Sequence, residues 1–199
     1  MTTTNNMGTI FIISGPSGVG KTTIVERLLE AEPGLKFSVS LTTRDVRADD
    51  KPDGVKYHFV TNDEFAAHVA AGDFLEHAVY SSGSYGTLKS EVLPPREQGI
   101  DVVLDIEVQG MKQIKQLYPE AIAIFLLPPS FEVLEDRLRK RNDAQTENKL
   151  SEEKILQRLA TARYEIKQQD LYDYKVVNGD LDDAVAQVVE IVRRHRRKV

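Results

Sequence analysis

The chain has no cysteine in its 199 residues. Disulfides and thiolate metal sites are therefore excluded, and a reducing compartment, the cytoplasm, is expected. Long apolar runs are missing too: none approaches the roughly 20 residues that a membrane-spanning helix needs. Segment 1–6 is polar rather than signal-like, and Met7 is an alternative start because organised sequence begins at Thr9. Positive charge is in deficit, with 26 Lys and Arg against 31 Asp and Glu. A net charge of −5 removes any global electrostatic case for nucleic-acid binding. The four histidines, His58, His68, His77 and His195, lack metal-ligand spacing. Internal repeats and low-complexity segments are also absent.

What is present is most concentrated in residues 9–23, TIFIISGPSGVGKTT. Ile10, Phe11, Ile12 and Ile13 read as a buried strand, and Ile24, Val25, Leu28 and Leu29 form one apolar face of a following helix. Between them, Gly15-x4-Gly20-Lys21-Thr22 has the spacing of a phosphate-binding loop. Backbone N–H groups of such a turn converge on an anion, and the helix N-terminus adds partial positive charge. Gly15, Pro16, Ser17, Gly18, Val19, Gly20, Lys21, Thr22 and Thr23 are thus candidate residues for binding a nucleoside triphosphate. Lys21 would reach the terminal phosphates, and the Thr22 hydroxyl would ligate Mg2+.

The rest of the chain alternates. Strands are expected at 9–14, 101–106, 121–127 and 174–177, with helices at 21–30, 89–98, 108–117, 130–141, 151–169 and 181–197. This pattern argues for an α/β fold built on a parallel sheet with helices on both faces. Two stretches interrupt it. Residues 37–87 hold short strand-like pieces at 37–39, 57–60 and 74–80 around a helix at 62–71, and read as a small mixed insertion. Residues 142–150 are polar and lie between two arginine-bearing helices, as a lid would.

A phosphate-binding loop alone does not separate hydrolases, motors and kinases. Five further motifs follow it in order: Phe37-Ser38-Val39-Ser40-Leu41-Thr42-Thr43-Arg44 with Arg47; Tyr57-His58-Phe59; Phe74-Leu75-Glu76; Ser84-Tyr85-Gly86-Thr87; and Asp105-Ile106-Glu107-Val108-Gln109-Gly110. The set resembles the guanylate kinases, P-loop nucleoside monophosphate kinases, over nearly the whole chain. The resemblance implies a single domain with a three-layer parallel-sheet core (about 7–39, 88–136 and 165–199), a GMP-binding insertion (about 40–87) and a helical lid (about 137–164). It implies transfer of the γ-phosphate of ATP to GMP, and also to dGMP, with Mg2+. ATP and GMP are then the expected partners, with no nucleic acid or membrane, in a monomer or homo-oligomer.

Residue roles follow from the same resemblance. Arg44 and Arg47 match the pair that clamps the GMP phosphate, assisted by Tyr57 and Tyr85. An arginine fork suits a phosphate because it binds bidentately. Glu76 matches the acid that reads guanine, whose N1–H and 2-amino group are adjacent donors. Ser40, Gly86 and Thr87 match further GMP contacts, Glu107 a partner of the 2-amino group, and Asp105 an acid that organises Mg2+ through water. Arg137, Arg141 and Arg158 match lid arginines that join Lys21 and Arg44 in catalysis, and Asn178 a residue near adenine. Arg139 and Lys140 lie elsewhere on the helix and are set aside.

Some positions depart from the family pattern: Val46 stands where a proline is usual, and Asn142-Asp143 replaces a glycine-led turn. The basic stretch 193–198 reads as cations at a helix C-terminus rather than a polyanion-binding tail. Two other readings compete. A guanylate-kinase-like binding module would have lost part of the loop at 15–22, which is complete here. A kinase for a ribose phosphate would leave Glu76 and 84–87 without purpose.

Overall fold

The computed structural model describes residues 7–46, 56–80, 83–143 and 149–196. They fall into two compact units, one within Met1–Phe11, Gly34–Ala121 and Arg196–Val199, the other within Ile12–Pro33 and Ile122–His195. The architecture is α/β, as expected, with nine strands and seven helices among the described residues.

In the first unit, β2 (Lys36–Phe37) pairs in parallel with β7 (Val102–Asp105), and β7 neighbours β1 (Ile10–Ser14). Ile10, Phe11, Val102, Val103 and Leu104 are at most 1% exposed, as continuous apolar strands of a parallel sheet should be. Asp101 ties the strand ends together. Its Oδ1 accepts from Thr9 N at 2.7 Å, and its Oδ2 accepts from Arg196 Nε at 3.0 Å.

The same unit holds a second sheet of β4 (Tyr57–Phe59), β3 (Ser40–Thr42), β6 (Gly83–Leu88) and β5 (Phe74–Tyr80), in that order. β3 is parallel to β4, and β6 is antiparallel to both β3 and β5. The strand expected at 37–39 is a break between two strands instead, β2 ending at Phe37 and β3 starting at Ser40. Ser38 N donates to Val103 O, which ends the pairing with β7, and β3 then begins in the other sheet. β6 was expected only as a motif, not as a strand. Helices α2 (Asn62–Ala71), α3 (Lys89–Glu97) and α4 (Val108–Leu117) complete the unit. α2 starts on a reciprocal cap between Thr61 and Glu64 and ends on Gly72 in a left-handed conformation, at φ 70°. Its Phe65 packs with Leu41 and Phe74 beneath the second sheet.

In the second unit, β1 continues into Ile12–Ser14, β8 (Ile122–Leu127) lies next to it, and β9 (Tyr174–Val177) pairs in parallel with β8. α1 (Lys21–Ala31) and α7 (Leu181–His195) pack together; Ile24, Val25 and Leu28 are buried on one, Val185, Val188 and Val192 on the other. α5 (Phe131–Asp143) begins where Ser130 Oγ accepts from Val133 N at 3.3 Å, the cap its sequence implied, and runs two residues beyond the expected end. α6 (Glu152–Lys167) begins on Ser151 in the same way and is followed by a short 3-10 turn, Gln169–Leu171.

Candidate active site

The second unit carries the phosphate-binding loop. Gly18 and Gly20 have φ 88° and 97°, conformations that other residues adopt at a cost. Space is tight as well: a Cβ on Gly18 would meet Leu138 Cδ2 at 2.9 Å, and one on Gly20 would meet Asn178 Nδ2 at 2.6 Å, so those side chains would have to shift. Lys21 Nζ folds back to donate to Gly15 O at 2.7 Å, so the ammonium stands at the loop. Thr22 and Thr23 are exposed in the first turn of α1. That turn contains no acidic side chain, which leaves its positive end unopposed from within the helix.

Asn178 is buried against this loop, with Nδ2 donating to Val19 O at 2.7 Å. Its own carbonyl accepts from Arg137 Nη2 at 3.2 Å. Both residues therefore brace the loop from the strand and helix beside it. Arg141 is exposed on α5 and Arg158 half-buried on α6. Arg139, set aside on sequence grounds, joins those two helices. It donates to both oxygens of Glu152 at 2.8 Å and to Glu135 at 2.9 Å. Asn142, near the end of α5, accepts from Leu150 N at 2.7 Å and donates to Leu150 O at 3.2 Å.

The first unit brings five of the nine expected GMP residues, Ser40, Tyr57, Glu76, Tyr85 and Thr87, onto one surface of its mixed sheet. In register, Tyr57 stands opposite Ser40, Ser40 opposite Thr87, and Thr87 opposite Glu76. Residues directly opposite share a face, so four candidates from four strands make one row. The neighbouring row contains Phe59, Thr42 and Tyr85. A β-bulge between Phe74 and Glu76 makes this possible. Phe74 pairs with Leu88 and faces the apolar cluster, yet Glu76 pairs with Thr87 on the opposite face. Without the extra residue, both side chains would point the same way.

Glu76 is 5% exposed, and its Oε1 accepts from the Thr87 hydroxyl at 2.6 Å; Thr87 Oγ1 lies 3.3 Å from Ser40 Oγ. Burial pushes the Glu76 carboxyl up to about 7, the Thr87 hydrogen bonds pull the other way, and the Glu107 carboxylate adds a small push upward. Glu107 occupies the N-cap position of α4 without a side-chain cap bond, and Gly110 on that helix leaves the space that Glu76 fills: a Cβ there would meet Glu76 Cδ at 2.8 Å. Gly86 faces the other way, its missing side chain replaced by the Phe74 ring, 2.6 Å from the Cβ position.

Arg44 is 8% exposed, with its guanidinium carbon 5.0 Å from both the Tyr57 and Phe59 ring centres. One nitrogen donates to Asp45 O at 2.8 Å. The Tyr57 and Tyr85 rings meet edge-on at 5.8 Å. Burial, and then the Asp105 carboxylate, hold the Tyr57 phenol well above its usual range, so it stays protonated. Asp105 is paired with Lys56, Nζ to Oδ2 2.5 Å, a cation that no sequence motif singled out. Arg47 lies outside the described residues.

Oxygen donors suit Mg2+, which keeps most of its water and uses one or two protein oxygens beside phosphates. The exposed Thr22 hydroxyl and the Asp105 carboxylate fit that donor chemistry. Among the described residues no cluster of three or more His, Asp or Glu could hold a metal unaided, and no helix is long and apolar enough to cross a membrane.

Comparison with known proteins decides the family. The family model described as guanylate kinase matches residues 7–195. The chain belongs to the guanylate kinase family. The Neisseria gonorrhoeae guanylate kinase is 46% identical over 191 residues, covering 96% of this chain and 90% of that protein. The Rickettsia bellii guanylate kinase is 43% identical, covering 98% of each. Among solved structures, the guanylate kinase of Anaplasma phagocytophilum matches with a TM-score of 0.78 at 29% identity, over 97% of this chain and 88% of that one. The architecture is thus that of the P-loop nucleoside monophosphate kinases.

Proposed function

We propose that the chain transfers the γ-phosphoryl group of ATP to GMP, and to dGMP, producing ADP and GDP or dGDP in the cytoplasm. An oxygen of the acceptor phosphate attacks Pγ in line, and the bond from Pγ to the β-bridging oxygen breaks. The nucleophile is already anionic near neutral pH, so no general base is required. The obstacle is repulsion between two polyanions, and positioned positive charge is the remedy.

The observation that carries this reading is the row Tyr57, Ser40, Thr87 and Glu76 beside the buried Arg44. Glu76 accepts from N1–H and the 2-amino group of guanine, and Ser40, Thr87 and Glu107 supply the neighbouring polar contacts. Adenine lacks that donor pair and would leave a buried carboxylate unmatched. Arg44, with Arg47, Tyr57 and Tyr85, holds the GMP phosphate. The loop at 15–23 holds the ATP phosphates, with Lys21 at the outermost ones and Asn178 behind them. Arg137, Arg141 and Arg158 close a lid at about 137–164 over the transferring group and exclude water, while 40–87 forms the acceptor-binding insertion. Thr22 and, through water, Asp105 would hold Mg2+, which would supply further neutralisation of phosphate charge.

A coupled ADP-release assay with ATP and Mg2+ tests this, with GMP, dGMP, AMP, CMP, UMP and ribose phosphates as acceptors. GMP and dGMP should be the efficient acceptors. Higher kcat/KM for any other acceptor would overturn the assignment.

A further inference from the structure

We propose that Gln113 is a positioning residue for guanine recognition, acting through the backbone of His77 to set where the Glu76 carboxylate stands. β5 lies at the edge of its sheet, paired on one side only, with β6. On α4, the Gln113 side chain takes up both backbone groups of His77, the residue after Glu76. Its Oε1 accepts from His77 N at 3.2 Å, and its Nε2 donates to His77 O at 2.9 Å. One side-chain amide thus does at this point what a neighbouring strand would do, satisfying an N–H and a C=O together. Nε2 also lies 3.4 Å from Gln109 O, one helical turn back, which orients the amide.

The consequence for Glu76 comes from two neighbouring features. The bulge between Phe74 and Glu76 loosens the β5–β6 ladder just before the acid, so β6 alone leaves the strand's local position poorly determined. Gly110, one turn before Gln113 on α4, leaves only enough room for Glu76 if strand and helix keep their spacing. Gln113 fixes that spacing one residue away from the acid. The Thr87 hydroxyl fixes the carboxylate from the β6 side. Two anchors on opposite sides set the depth and tilt of an acceptor that must meet two donors at once.

This inference rests on the reading of Glu76 as the guanine-reading acid. Its test compares GMP with IMP, which keeps N1–H but lacks the 2-amino group. A carboxylate moved from its bidentate position loses its advantage for GMP over IMP. Gln113→Met preserves length and volume while removing both hydrogen-bonding groups. In the full-length enzyme it should raise KM for GMP about tenfold and lower the GMP-to-IMP ratio of kcat/KM about tenfold. KM for ATP should stay within twofold, and kcat at saturating GMP should persist. Hydrogen exchange at the His77 amide should accelerate. Gln113→Glu retains the acceptor for His77 N–H and should fall between wild type and Gln113→Met in the ratio; it carries the test alone if Gln113→Met does not fold. An unchanged GMP-to-IMP ratio in an active variant, or equal losses for both nucleotides, would overturn the proposal. A wild-type enzyme that did not prefer GMP would instead overturn the functional reading beneath it.

Discussion

The Thr87 hydroxyl donates to Glu76 Oε1 at 2.6 Å, from the strand position directly opposite it in the sheet. The bond stabilises the anion, yet burial outweighs it and leaves the carboxyl at about 7. Guanine offers two donors and therefore needs the anion. GMP binding should release a proton below that value, and affinity should fall by up to tenfold per pH unit well beneath it. Calorimetry across pH 5–8 in buffers of different ionisation enthalpy checks this. Guanosine serves as the control, because it lacks a phosphate that titrates near 6. The same shift acts on stability in a fixed direction. The folded-state value lies above the ordinary carboxyl value, so the contribution is complete below about 4.5 and is lost as pH rises through about 7. Its size is on the order of 3 kcal/mol. Glu76→Gln should flatten that part of the pH–stability curve.

Gly110→Ala would stabilise an ordinary exposed helix by about 1 kcal/mol. Here the added methyl would meet the Glu76 carboxyl carbon at 2.8 Å, and the acid would have to leave its bond to Thr87. KM for GMP should rise at least tenfold while the thermal midpoint changes little. An unchanged KM would show that the carboxylate has another productive position.

Lys21→Ala removes an ammonium that donates to the loop's own Gly15 carbonyl. The loss of one electrostatic stabiliser should lower kcat by about 10² or more. Circular dichroism should show an intact fold. Near-normal turnover would remove the loop from the reaction.

The basic C-terminal stretch does more than oppose a helix dipole. Arg193 pairs with Glu32 at 2.6 Å, Arg194 with Glu190 at 2.9 Å and Arg196 with Asp101 at 3.0 Å. Asp101 has a side chain only 9% exposed. Arg196→Ala should therefore cost about 2 kcal/mol of stability, since it takes a charged partner from a buried acid and leaves it the bond from Thr9 N. Urea unfolding measures this. Phosphorylation of GMP by the folded protein should be unaffected.

Features set by local pattern were readable from the sequence. The strand–loop–helix at 9–31, the α7 stripe and the Ser130 cap follow from apolar spacing, glycine position and a hydroxyl before a helix. Features set by pairing across the chain were not. The division of 36–42 between two sheets depends on where Val103 and Tyr57 lie. β6, Gly83–Leu88, has two glycines and little apolar alternation, so it becomes a strand only between β3 and β5. Lys56, Gln113 and Arg139 carry no motif, and their partners Asp105, His77 and Glu152 are 49, 36 and 13 residues away. A candidate site residue could thus be named from its order in the chain, whereas the residues that hold it could not.

Titration of GMP and of ATP into the Glu76→Gln protein by calorimetry bears most directly on the claim that one buried acid distinguishes guanine. GMP should bind about 10²-fold more weakly, a cost of about 3 kcal/mol, with ATP affinity within twofold of wild type. Equal weakening of both nucleotides, or GMP affinity left intact, would contradict it.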